Sequence, residues 1–262
     1  MTTSKIFFIF FLSILLFSCG PSKKEMAVER IQMAHDTYEK GDTTMALQQV
    51  DSVSILYGEE IQQKEDAQNF RKQIYGDILF RKQDELDTIN SRISDVEKLF
   101  ITEKTPYDRY RQYIYKRQDA EKRWNKSYIQ VHLDERGSLY ISSNYYGENW
   151  LNHTSIRVYD NDIQTKTDSV PLSSPLNHHS DFLNIKWEKV SYTNGDDNGV
   201  IKFIADNADK KLKAVFIGSR YYYIILEEYD KQAMKEALIL SKLLKRKISL
   251  ESDIKNLRDI NN

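Results

Sequence analysis

Apolar positions along residues 26–124 return every three or four residues, the spacing of one helix face. Ile31, Ala34 and Tyr38 form a first run, and Ala46, Leu47, Val50 and Ser54 a second. Gly41-Asp42 lies between them, where the glycine can end one helix and Asp42 or Thr43 can cap the next. A longer run covers 59–105. Ala67, Phe70, Ile74 and Ile78 make one stripe, and Leu86, Ile89, Ile93, Val96 and Phe100 a second in alternating steps of three and four. The second stripe reads as a coiled-coil seam. As one helix this run would be about 65–70 Å long, with Gly76 or the wholly polar 81–85 as places for a break. Pro106 ends it, because proline disfavours helix in the residue before it. Residues 107–124 predict a further helix, polar and rich in tyrosine.

The period then shortens to two. Ile129, Val131 and Leu133 alternate with polar residues, as do Leu139 and Ile141 after the turn residues 135–137. Ile156 and Val158, then Leu183, Ile185 and Trp187, then 200–205 predict more strands. The clearest hairpin is 211–217, Gly218-Ser219, then 220–226. Residues 221–226 carry apolar bulk on both faces, which predicts a central strand. Several short strands between turns predict a small antiparallel sandwich or barrel. Over 230–260 the helical period returns with Ala237, Leu240, Leu244 and Ile248, then Ile254 and Leu257. A long one-sided helix needs a partner, and the seam at 86–100 is the natural one. The expected fold is α+β: an N-terminal helical hairpin and a long coiled-coil-like helix, an inserted antiparallel β-domain, and a long C-terminal helix packing back on the stalk. The corresponding ranges are 26–126, 127–228 and 229–262.

Upstream, Lys5 precedes an almost wholly apolar stretch at 6–17, and Leu16-Phe17-Ser18-Cys19 follows at once. The stretch is shorter than the roughly 20 residues of a membrane span and fits the core of a signal peptide. These residues resemble the lipobox of bacterial lipoproteins, and the composition resembles those of the Bacteroidota. The resemblance implies that residues 1–18 are removed, that the Cys19 thiol takes a diacylglycerol, and that 19–25 form a lipidated tether. The segment Pro21-Ser22-Lys23-Lys24-Glu25 is basic first, which in that group implies attachment to the outer membrane facing the periplasm. A second resemblance covers 27–58: Ala34, Tyr38, Gly41, Ala46 and Val50 fall where a tetratricopeptide unit places small, aromatic, turn, small and large residues. No second copy follows, and such solenoids need about three repeats. An ordinary antiparallel hairpin therefore remains the expectation.

Charge narrows the partners. The chain has 38 Lys+Arg against 39 Asp+Glu, and losing residues 1–18 removes only Lys5, which leaves a net charge of −2. That balance speaks against a nucleic-acid binder. Cys19 is the only cysteine, so its lipidation leaves no thiol for a disulfide, a metal or a nucleophile. His178, His179 and Asp181, with His153, are candidate metal ligands, but adjacent histidines rarely converge on one ion. Asn194, Asp196, Asn198 and Gly199 match the first half of a calcium loop, yet its twelfth position is Ala205 rather than a bidentate Glu. The expectation is no metal, no cofactor and no catalytic residue, since phosphate loops, nucleophile elbows and zinc-protease motifs are missing from the sequence. Tyr107, Tyr110 and Tyr113 interleave with Arg109 and Arg111, a composition that suits a protein interface. Asp–Ser/Thr–aliphatic triplets, such as Asp51-Ser52-Val53, resemble short O-glycosylation sites of the same bacteria. The expected function is a membrane-anchored, non-enzymatic scaffold or interaction module with an envelope protein partner and no small ligand. The alternative is a glycan- or peptide-binding lipoprotein that uses the aromatic β-domain (Tyr145, Tyr146, Trp150, Trp187).

Overall fold

The computed structural model describes residues 20–118, 125–161 and 163–261. Cys19 and the signal segment lie outside the described residues, as do 119–124 of the helix expected at 107–124. The chain divides into two compact units: residues up to Gln83 with Asp253–Asn262, and Asp84–Ser252.

The first unit is helical. Helix α1 (Lys23–Glu39) opens on a capping box: the Ser22 hydroxyl accepts from the Glu25 N–H at 3.2 Å and the Glu25 carboxylate accepts from the Ser22 N–H at 2.8 Å. Gly41 turns the chain at φ +89°, in the left-handed region glycine enters without strain. Asp42 then caps α2 (Thr43–Leu56), accepting from the Met45 N–H at 3.0 Å. The facing residues Ala27, Ala34 and Ala46 are small enough for close helix approach and are fully buried. The open side of this hairpin is covered by the first part of α3 (Ile61–Glu97) through Ala67, Phe70 and Ile74. The Phe70 ring stacks on His35 at 3.5 Å and meets Tyr38 edge-on at 5.8 Å, while the Tyr38 hydroxyl donates to Asp77 at 2.8 Å. A third helix thus does what a following repeat would do in a solenoid. At the chain's far end Asp253 pairs with Lys82 at 2.7 Å within this unit.

The second unit holds two antiparallel sheets. One has six strands in the order β1 (Phe100–Glu103), β2 (Gln112–Tyr115), β3 (Tyr128–Asp134), β4 (Leu139–Gly147), β8 (Ile185–Tyr192), β7 (Asn177–Phe182). The other has four, in the order β10 (Tyr221–Ile225), β9 (Lys213–Ile217), β5 (Ser155–Asp160), β6 (Ile163–Lys166). They meet through Tyr145 of β4 against Tyr222 of β10 at 5.1 Å, and His153, in the loop before β5, stacks on Phe216 of β9 at 5.1 Å. The C-terminal helix α5 (Glu228–Asn261) buries Ala233, Met234, Ala237 and Leu240, and its Ser241 hydroxyl donates to the Gly137 carbonyl at 2.6 Å. Arg246 pairs with Glu85 of α3 at 2.7 and 2.8 Å, so the C-terminal helix packs back on the long helix as expected.

Several expectations are corrected. The long helix stops at Glu97 rather than 105, because Phe100 leaves the helical stripe to pack edge-on against Tyr115 (5.5 Å) and Tyr113 (6.2 Å) as a strand residue. Over 107–118, the described part of the helix expected at 107–124, the chain instead forms β2 followed by a short 3₁₀ turn (Lys116–Gln118). The six-stranded sheet therefore begins at Phe100 and takes in residues the sequence reading assigned to the stalk. The strand expected at 200–205 is the short helix α4 (Val200–Asp206). Its Val200, Ile201 and Ile204 are buried at helical spacing, a pattern that a β-branched run hides. Leu183 is no strand residue: Leu183 and Asn184 form a two-residue turn at φ +52° and +65° between paired Phe182 and Ile185. Residues 221–225 form an edge strand, paired among the described residues with β9 alone, and not a central one.

Candidate functional site

Polar residues alternate with Ile129, Val131 and Leu133 along β3, so one face of this strand is core and the other carries Gln130 and His132. The ladder sets His132 opposite Tyr140 and Asn144 opposite Lys189. A polar cleft of about 470 Å³ opens on this face, lined by His132, Tyr140 and Lys189 with Gln112, Asp134 and Asn194. The His132 imidazole lies flat on the Tyr140 ring, with 4.5 Å between centroids and 7° between planes, and its Nε2 is 2.9 Å from the Ser142 hydroxyl. Burial, with the Lys189 charge as a smaller contribution, pushes this imidazole down to about 3, so it is neutral at pH 7. Burial also lowers the Lys189 ammonium and raises the Tyr140 phenol. Two acids of the cleft are already engaged. Asp108 accepts from the Thr105 hydroxyl and N–H at 2.6 and 3.0 Å, which lowers its pKa. Asp134 takes the Arg136 guanidinium at 2.6 and 2.9 Å and two backbone N–H groups besides.

The tyrosine–arginine segment borders this site without acting as one surface. Tyr107 is 97 % exposed, and Arg109 and Arg111 are exposed beside it. Tyr110 is covered by the Arg136 guanidinium at 3.6 Å from its ring centre. Tyr113 is buried in β2, its hydroxyl donating to Glu97 at 2.6 Å, and it drops out of any docking surface. The histidines weighed as ligands also separate. His178 and His179 sit on opposite faces of β7 by strand alternation, His179 stacks on Trp150 at 5.0 Å, and His153 is in the core. In the calcium-like loop the Asn198 amide is engaged by the Lys166 carbonyl at 3.1 Å. Of the aromatic residues weighed for ligand binding, Tyr145 is buried, with its hydroxyl on the Asn149 carbonyl. Tyr146 and Trp187 meet edge-on at 4.7 Å, both half-buried.

A second constellation escaped the sequence reading because its members lie far apart in the chain. Ser143 Oγ is 2.8 Å from His153 Nε2, and His153 Nδ1 is 2.7 Å from Glu188 Oε2. A carboxylate only accepts, so Nδ1 carries the hydrogen. Glu188 also accepts from the backbone N–H groups of Leu151, Asn152 and His153 at 2.6, 2.8 and 3.0 Å. Burial alone would raise this carboxyl, but the bonds from the His153 side chain and the loop N–H groups hold it down to about 2. The order serine–histidine–carboxylate is that of a hydrolase triad. Here Ser143, His153 and the Tyr192 hydroxyl beside them at 3.1 Å are all fully buried, so no substrate reaches the serine. The arrangement pins the loop at 148–154 to the sheet.

Among the described residues, exposed apolar side chains stand together at two places on the sheets, while Ile101 on β1 and Ile163 on β6 are exposed singly. Tyr221, Tyr223 and Ile225 on β10 are 60, 57 and 67 % exposed. Phe182 and Leu183 project at the β7–β8 turn. Among the described residues no helix is long and apolar enough to cross a membrane. Comparison with protein families, with characterised proteins and with solved structures finds no match, so the functional reading rests on the geometry of this chain alone.

Proposed function

We propose that this chain is a lipid-anchored envelope protein, tethered through Cys19, whose second unit is a non-enzymatic interaction module for another protein of the envelope. The observation that carries this reading is the free edge of the four-stranded sheet. Among the described residues strand β10 pairs only with β9, so its outer backbone groups can template an added strand. Its exposed Tyr221, Tyr223 and Ile225 supply alternating contact area of the kind interfaces favour. Natural edges are usually blunted by lysine, proline or bulges; this one carries two tyrosines and an isoleucine. The test uses the full-length protein as bait in detergent-solubilised membranes, beside the Tyr221→Lys/Tyr223→Lys variant. A specific partner held by the wild type and lost by the variant supports the reading. Equal capture by both, or no specific partner, overturns it. Mass spectrometry of the N-terminal peptide tests the tether, and an unmodified thiol at position 19 removes it.

A second reading is favoured by the polar cleft on the six-stranded sheet: a glycan- or peptide-binding lipoprotein whose ligand sits over His132 and Tyr140.

A further inference from the structure

The cleft lies over β3, β4 and β8, three strands with neighbours on both sides. Their backbone groups are committed to ladders, so an incoming peptide cannot add a strand here. Recognition has to come from side chains, and those present are imidazole, phenol, hydroxyl, amide and ammonium groups, with the carboxylates of Asp108 and Asp134, the Arg136 guanidinium and Leu139 beside them. A flat stacked ring pair surrounded by such groups suits a hydroxyl-rich ring better than an apolar side chain. The volume, about 470 Å³, is in the range of small-ligand pockets and admits one or two sugar rings.

Charge narrows the ligand further. Asp134 commits both oxygens to Arg136 and backbone N–H groups, Asp108 commits Oδ2 to Thr105, and the Arg136 guanidinium is held between Asp134 and the Tyr110 ring. Lys189 is different. No carboxylate lies within ion-pair distance of it among the described residues, and its cross-strand neighbours are Asn144 and His178. The Tyr140 hydroxyl likewise has no hydrogen-bond partner among the described residues. One uncompensated cation and one unused hydroxyl therefore face the same space.

Resting on the second reading above, we infer that the cleft binds a carboxylate-bearing saccharide, such as a uronic acid, with Lys189 Nζ on the carboxylate and the Tyr140 hydroxyl on a ring hydroxyl. Neutral His132 supports the stacked platform and adds no charge to compete with Lys189. The test is calorimetric titration of the full-length protein in detergent with galacturonic acid and its disaccharide, their methyl esters, and the matching neutral galactosides. The acids should bind, and the esters and neutral sugars should bind about tenfold more weakly or worse, the size of one lost charge-assisted contact. Lys189→Met should erase the preference for the acid, Lys189→Arg should keep it, and Tyr140→Phe should weaken all the sugars several-fold while leaving the preference. Unchanged urea midpoints in these variants separate lost contact from lost fold. Equal affinity for acid and ester, or a preference that survives Lys189→Met, overturns the inference. If neutral sugars or peptides still occupy the cleft in that event, the second reading stands without it; if nothing binds there, both fall.

Discussion

Replacing Glu188 should destabilise the second unit more than any surface change. The carboxylate accepts four hydrogen bonds, three from consecutive backbone N–H groups and one from the His153 ring, all in the interior. Glu188→Ala leaves four donors unpaired. Each costs about 1–3 kcal/mol if nothing replaces the acceptor, and water entering the space left by the side chain recovers part of this. Breaking one partner of a buried pair typically costs about 3–5 kcal/mol, and that is the expected loss. Proton linkage reaches a similar size. A carboxyl moved from 4.5 to about 2 on folding stabilises the native state by about 3 kcal/mol at neutral pH. Because the folded value is the lower one, this stability is complete above pH 4.5 and is lost as pH falls toward 2. Glu188→Gln should cost nearly as much as Glu188→Ala, since its amide NH₂ would face the His153 donors. Urea unfolding followed by tryptophan fluorescence is a clean assay: the tryptophans are at 124, 150 and 187, and the first unit contains none. A loss below about 1 kcal/mol in both variants, or an acid-induced loss undiminished in Glu188→Gln, refutes the reasoning.

Phe70→Ala should cost the helical unit about 3–5 kcal/mol, because the buried ring stacks on His35 and meets Tyr38; a thermal melt by circular dichroism reads this. Leu183→Asn should stabilise the second unit by about 1 kcal/mol, since leucine is held at φ +52° with its side chain 81 % exposed and asparagine tolerates that conformation; the urea midpoint should rise. His132 stays neutral in the folded state while the unfolded chain takes up its proton below pH 6.5. Stability should therefore fall by about 1.4 kcal/mol per pH unit below that value. His132→Gln should flatten the slope between pH 6.5 and 4.5, a window above the Glu188 transition; a slope unchanged in the variant contradicts this.

The helical hairpin, its Gly41 turn and its Asp42 cap were legible from residue spacing, because local hydrogen bonds and a 3.6-residue period leave their mark in adjacent positions. So were the cores of β3, β4, β5 and β9, and the C-terminal helix. Residues 97–118 were not: a run that continues the helical stripe becomes two strands because Phe100 gains aromatic partners only when β2 is beside it. The same limit hid α4, whose β-branched run satisfies either period. The cleft left a faint trace in the alternation of Gln130, His132 and Asp134, but Tyr140 and Lys189 join it through strand register alone. The Ser143–His153–Glu188 chain left none.

By itself the sequence determined the α+β class and the helical hairpin with its turn and cap, all properties of neighbouring residues. Tertiary structure alone decided that 221–225 is an edge, that Tyr113 is buried, and which polar groups share a cleft. Those outcomes depend on which strand lies beside which, and that pairing joins positions tens of residues apart whose contacts no local pattern encodes.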